Sequence, residues 1–333
     1  MLRTPMPDLS VTVAELELTS PVIAGSGEST RTAEQIRACL DAGAAAVIAK
    51  STNESEAAKA QLRAAEYALL DENFAARPLG RTERGDSLFC RSGLVDEPFE
   101  QWVELLAGLD REAGDAFVVP SLIVGDLDEA VRMARAFEQA GLRWLELNVG
   151  APHADEADPG AIRTGAELVR PIREAVALPL SVKVGGPDPV AAAVVAHDAG
   201  ADAVVLATRA QGLVSDLETR RPVLGTFAAI GGAWAVPITC RHLAKARHAR
   251  PDACLVGTNG ARRGLDVAQM LLAGASAVQL TSLVMTDGPA ALRNVTDELS
   301  RYLDRQGVTA RELVGESADA VLTYEEAAVE HRR

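Results

Sequence analysis

The sequence predicts an α/β chain of the (β/α)8 TIM barrel type. Two observations carry this: a supersecondary unit that recurs four times, and a tally of apolar strands that reaches eight. The unit is a helix end, a glycine and a short apolar strand. Its copies are Asp41-Ala42-Gly43 running into Ala44–Ala49, Gln139-Ala140-Gly141 into Leu142–Leu147, Asp198-Ala199-Gly200 into Ala201–Ala207, and Leu272-Ala273-Gly274 into Ala275–Leu280. A glycine there accepts the left-handed backbone that closes a helix. The strands are apolar at nearly every position, as expected where both faces are covered.

Taken in order, Leu9–Leu18 alternates apolar and polar residues and predicts a small amphipathic hairpin capping the barrel's N-terminal end. Apolar strands follow near residues 22, 47, 119, 145, 182, 204, 255 and 278. Helices fill the intervals. The clearest is 126–139, where Asp126 and Glu129 suggest a capping box and Leu127, Ala130, Val131, Ala134 and Phe137 share one face. Long insertions, 51–98 and 208–235, follow strands 2 and 6. No linker or low-complexity stretch interrupts the chain, so 1–333 is read as a single domain.

Composition narrows the function. With 48% hydrophobic and 24% charged residues the chain can bury a sizeable core. A net charge of −14 argues against nucleic-acid backbones and anionic membrane surfaces as partners. Cys39, Cys90, Cys240 and Cys254 show neither C-x-x-C nor zinc-finger spacing, so neither a disulfide scaffold nor a structural zinc site is expected. The first residues contain no apolar signal core, and no apolar run approaches the length of a membrane span. The expectation is a cytoplasmic protein.

In such a barrel the chemistry lies at the C-terminal ends of the strands. Polar residues there are Lys50-Ser51-Thr52 after strand 2, Glu146-Leu147-Asn148 ending strand 4, and Lys183 within strand 5. Two lysines and an asparagine point to an anionic or carbonyl-rich ligand. Val256-Gly257-Thr258-Asn259-Gly260 after strand 7 and Thr281-Ser282 after strand 8 stand where barrels bind phosphate through backbone N–H groups.

Glu146-Leu147-Asn148-Val149-Gly150-Ala151-Pro152-His153 resembles the E-L-N-x-S-C-P-N/H signature of the dihydroorotate dehydrogenase family and of the related dihydropyrimidine dehydrogenase flavin domain. The likeness extends through Leu9–Ser26, Ser181-Val182-Lys183, Gly212–Val223, Ile230-Gly231-Gly232 and Val256–Ser282. It implies an FMN barrel that moves a hydride between flavin N5 and a C–C bond beside a carbonyl. By that resemblance Ala24, Gly25, Ser26, Lys50 and Ser51 lie against the isoalloxazine, and Asn148 lies near flavin and substrate. Lys183 faces the flavin N1/O2 edge, where a fixed cation offsets the negative charge that gathers on reduction. Gly231, Gly232, Thr258, Asn259, Gly260, Thr281 and Ser282 match the phosphate stretch, with Asn259 in place of a usual glycine.

The substrate positions depart from the family. Its Cys/Ser base is Ala151, which has nothing to titrate. Its pyrimidine-reading asparagines fall on Cys90, on His153, and on Ala207 or Thr208 depending on the gap. Only Asn148 survives, so dihydroorotate is an unexpected substrate. Cys90 and His153 are the candidate replacement groups. His153 is preferred because imidazole titrates nearer neutrality, and because it shares the strand-4 loop with Ala151. Asp155-Glu156-Ala157-Asp158 reads as a solvated face, and Cys39, Cys240 and Cys254 as core packing. A small-molecule substrate, a second electron acceptor or donor and a homodimer complete the expectation. Two rival readings stand beside this one. Asn148–Pro152 echoes tRNA dihydrouridine synthases, but the acidic charge and absence of an RNA-binding domain oppose that. A non-redox flavin or phosphate binder is kept open by the missing base.

Overall fold

The computed structural model describes residues 7–53, 65–80, 82–83, 85–149, 165–207 and 210–330. Its strands are β1 (Val11–Val13), β2 (Leu16–Leu18), β3 (Val22–Ala24), β4 (Ala46–Ile48), β5 (Glu66–Leu70), β6 (Ala76–Arg77), β7 (Ser87–Arg91), β8 (Phe117–Val119), β9 (Ser121–Ile123), β10 (Leu145–Asn148), β11 (Leu180–Val184), β12 (Ala203–Ala207), β13 (Ala210–Gly212), β14 (Ser215–Asp216), β15 (Arg221–Pro222), β16 (Ala228–Gly232), β17 (Leu255–Thr258) and β18 (Ala275–Leu280).

Nine segments form one parallel sheet in the order β8-β4-β3-β18-β17-β12-β11-β10-β9. β8 and β9 are two halves of one barrel strand, parted at Pro120, which has no N–H to give a ladder. The first half pairs with β4 and the second with β10. The ring therefore closes with eight barrel strands, all at the expected positions. β18 pairs with β3, joining the last strand to the first. All four repeat glycines are left-handed: Gly43 (φ 91°), Gly141 (84°), Gly200 (103°) and Gly274 (110°).

The predicted N-terminal hairpin is β1–β2, registered Val11↔Leu18. Ala14 and Glu15 both have positive φ, as a tight two-residue turn requires. Val11, Val13 and Leu18 are buried, and Cys254 Sγ lies 3.9 Å from the Thr12 carbonyl oxygen, so the hairpin sits at the N-terminal end of β17. Asp126 caps helix Leu127–Gln139 by accepting from the Glu129 N–H at 2.9 Å. The reciprocal half of the expected capping box is absent: the Glu129 carboxylate instead takes the Arg132 Nε–H at 2.9 Å.

The two insertions are not separate loops. They combine into one antiparallel sheet, β13-β16-β7-β5-β6. β16 from the second insertion pairs with β7 from the first, in the register Ala229↔Cys90, Ile230↔Phe89, Gly231↔Leu88. One face buries Ala68, Leu70, Phe89, Leu224 and Ala228. The other carries Leu69, Leu88 and Cys90 and meets Met285, in the helix after β18. That contact seats the sheet on the C-terminal end of the barrel. Among the described residues no helix is long and apolar enough to cross a membrane.

Candidate active site

A cleft open to solvent lies between the barrel mouth and the insertion sheet. Ser26, Lys183, Gly231, Thr258, Asn259, Gly260, Thr281 and Ser282 line it, so eight of the residues singled out by sequence meet there. Leu88, Ala261, Gln279 and Leu280 complete the lining.

The strand termini explain this convergence. Asn148 and Lys183 are cross-strand partners at the ends of β10 and β11. Lys183 Nζ donates to Gln279 Oε1 at 2.9 Å and lies 3.8 Å from Glu146 Oε1. Gln279 Nε2 in turn donates to Glu146 Oε2. Because β18 is not adjacent to β10 or β11, these contacts cross the barrel lumen. Glu146 is 0% exposed, and its Oε1 has no hydrogen-bond partner among the described residues. The ammonium is thus held at the cleft floor by a buried carboxylate and an amide. Sequence reading singled out neither Glu146 nor Gln279 as a site residue. The signal for both was a polar letter inside a greasy strand.

The opposite part of the cleft is a cradle of backbone. Asn259 (φ 72°) and Gly260 (φ 102°) are successive left-handed residues between β17 and helix Gly264–Leu272. Asparagine is among the few non-glycine residues that take this conformation readily, which explains its place in a glycine-rich stretch. Thr239 Oγ1 pins the loop by donating to the Asn259 carbonyl oxygen at 3.1 Å. A Cβ on Gly231 would fall 2.2 Å from Asn259 Oδ1, so a side chain there would have to displace the Asn259 amide.

On the first-strand side Ala24 is buried, and the Gly25 N–H reaches the Leu280 carbonyl at 3.4 Å. Ser26 Oγ is 3.2 Å from Ser51 Oγ, which is 2.9 Å from Ser121 Oγ. Lys50 is 4% exposed, and its Nζ is 2.8 Å from Glu28 Oε1. The Gly93 N–H also donates to Glu28 Oε1, at 3.2 Å. Burial pushes the Glu28 carboxyl up, but the Lys50 ammonium, the Tyr67 hydroxyl and the Gly93 N–H outweigh it and hold it below the ordinary carboxylate range. Sequence reading missed Glu28, which reads as an ordinary loop acid.

Cys90 lies on β7 with Leu88, two residues along and on the same face, but is only 2% exposed. Its Sγ is 3.8 Å from Ser92 Oγ. Ala151 and His153 lie outside the described residues, as does Thr208; Ala207 ends β12. Cys39 is fully buried, and Cys240 and Cys254 are half-buried against the main core. Burial pushes the thiols of Cys39 and Cys240 up to about 11, for Cys240 with help from the Asp266 carboxylate. Iodoacetamide near pH 7.5 should therefore leave both unmodified in the folded protein, because the thiolate is the reacting form. Mass spectrometry of the alkylated chain checks this; labelling at the rate of a free thiol would contradict it.

Residues 85–303 match the family model described as "Dihydroorotate dehydrogenase". The chain is 25% identical over 308 residues to the dihydroorotate dehydrogenase B (NAD(+)) catalytic subunit of Thermoplasma acidophilum, covering 90% of this chain and 95% of that protein. It is 30% identical over 240 residues to dihydroorotate dehydrogenase A (fumarate) of Lactobacillus helveticus, covering 69% and 78%. It is 27% identical over 322 residues to the NAD(+)-type catalytic subunit of Methanothermobacter thermautotrophicus, covering 93% and 99%. With these matches on a closed barrel, the chain belongs to the dihydroorotate dehydrogenase family and is a flavin-dependent oxidoreductase acting on a C–C bond.

Proposed function

We propose that this chain binds FMN and moves a hydride between flavin N5 and a C–C bond next to a carbonyl, in a small molecule other than dihydroorotate. The observation that carries the reading is one cleft holding a fixed ammonium at its floor and a left-handed backbone cradle in its wall. The residues fit the cofactor. Gly231, Gly232, Thr258, Asn259, Gly260, Thr281 and Ser282 would hold its phosphate; Ala24, Gly25, Ser26 and Ser51 would lie against its ring. When bound, FMN supplies a hydride donor and acceptor at N5. Lys183, oriented by Gln279 and Glu146, offsets negative charge that develops in the cleft, at no reorganisation cost because it is already in place. Asn148 orients a substrate carbonyl. The insertion sheet walls the cleft and limits water.

The proton partner must replace what Ala151 lacks. His153 is the proposed group, two residues further along the same loop, with Cys90 the alternative. The electron partner is a second small molecule, as the fumarate-type relatives' names indicate, or another subunit, as the NAD(+)-type names indicate. A cytoplasmic homodimer is the proposed setting.

Stopped-flow absorbance at about 450 nm tests the reading. Dihydroorotate should fail to bleach the bound flavin at a useful rate, whereas a carbonyl-conjugated substrate should exchange electrons with it. His153→Asn should slow that exchange about 10²–10⁴-fold with FMN retained, and Cys90→Ser should slow it far less. Rapid bleaching by dihydroorotate, or a His153→Asn variant at the wild-type rate, would defeat the corresponding part.

A further inference from the structure

Among the described residues that line the cleft, Lys183 alone carries a charge. Its ammonium can only donate, so the Gln279 amide turns its oxygen toward Nζ, 2.9 Å away. The amide nitrogen then faces the other way and donates to Glu146 Oε2. A proton on Glu146 Oε1 would be a buried donor with nothing to accept it, since that atom has no hydrogen-bond partner among the described residues. The contacts are consistent only as a series of ammonium, amide and carboxylate.

The carboxylate rises from one layer below the cleft floor. On β10 Glu146 precedes Asn148 by two residues, and it is Asn148 that stands level with Lys183. Lys183 Nζ lies 3.8 Å from Glu146 Oε1, near enough for strong attraction and too far for a hydrogen bond. Lys183 keeps 13% of its side chain exposed, while Glu146 has none. With no water around it, the anion is poorly screened, and its field reaches the space above Lys183 more strongly than that of a surface acid would. The cleft therefore meets a cation that is partly cancelled from beneath.

We infer that Glu146 is a positioning residue that sets the redox poise of this site, by taking up part of the Lys183 charge and keeping the flavin harder to reduce than the lysine alone would. The inference rests on the redox reading above and adds a control to the same site. A fixed cation favours reduced over oxidised flavin, and a carboxylate behind that cation subtracts from the preference. Gln279 is the spacer. Its amide engages both partners and holds Nζ off the carboxylate, so the positive charge is attenuated rather than spent in a close ion pair.

The test is the flavin midpoint potential of FMN-loaded protein, read against a reference dye during slow reduction. Glu146→Gln keeps the length of the side chain and removes its charge. It should raise the ratio of reduced-flavin to oxidised-flavin affinity about tenfold or more, a potential higher by about 30 mV for a two-electron couple. Glu146→Asp draws the carboxylate back but keeps the charge, and should stay within about threefold of the wild-type ratio, or about 15 mV. A purely structural role would not separate the two variants by charge. Glu146→Met also removes the charge, should shift the potential upward, and stands in if the glutamine variant does not fold. A potential unchanged or lowered in the uncharged variant, or raised equally in Glu146→Asp, would overturn the inference. A wild-type chain that cannot be loaded with FMN would instead defeat the redox reading, and absorbance of the loaded protein before any reduction separates the two failures.

Discussion

Lys183→Ala is expected to give the largest loss, in stability as well as in flavin binding. The substitution leaves Glu146 a fully buried carboxylate whose partner across the lumen is the uncharged Gln279 amide. Removing one member of a buried ion pair typically costs about 3–5 kcal/mol, because the survivor is uncompensated. Urea unfolding should register that loss, and fluorescence titration should show weaker FMN binding with a lowered flavin potential. The double variant Lys183→Met/Glu146→Gln removes both charges and should recover most of the stability but neither the potential nor the affinity. A single variant as stable as wild type, with an unchanged potential, would mean that the ammonium plays neither role.

Gly260→Val should be nearly as damaging, and at the other end of the site. Gly260 has a φ of 102°, and a Cβ there would lie 2.7 Å from the Val236 backbone nitrogen and 3.1 Å from the Ala235 carbonyl carbon. Those neighbours are main chain at the start of the helix Val236–Ala249, so no side-chain rotation relieves the clash. Strained backbone of this kind costs about 1–3 kcal/mol before the overlap is counted. FMN affinity should fall about 10²-fold as the cradle shifts, a loss of the size seen when oriented donors are displaced. Asn259→Gly, one residue earlier and also left-handed, should stay within about 0.5 kcal/mol of wild type, since glycine accepts that backbone freely. Equal flavin affinity in Gly260→Val and wild type would refute the assignment of this loop.

The barrel was legible in the sequence because its signals are local. A glycine closing a helix and an apolar run after it lie within ten residues of each other, and four such units set the rhythm of the chain. The polar strand ends were legible for the same reason, since Asn148 and Lys183 interrupt otherwise greasy strands. What escaped notice depends on closure in space. Glu28 is an ordinary loop acid until β3 and β4 lie side by side and bring it to Lys50. Glu146 and Gln279 meet only across the lumen. The insertion sheet pairs Cys90 with Ala229, and neither short strand has enough periodicity to announce a partner so distant along the chain.

That shared sheet limits how the molecule can be re-engineered. A loop that folds on its own can be exchanged between homologous barrels as a cassette, but here neither insertion is a cassette. β16 lies between β13 and β7, and β7 lies between β16 and β5, so each insertion supplies an edge that the other must cover. A chimaera receiving residues 51–98 alone would leave the outer side of β7 with open N–H and C=O groups and an apolar face, an invitation to intermolecular strand pairing. Receiving 208–235 alone would strand β16 in the same way. Transfer of substrate preference between relatives therefore calls for both segments together, and in evolution the two are expected to change length and composition in concert.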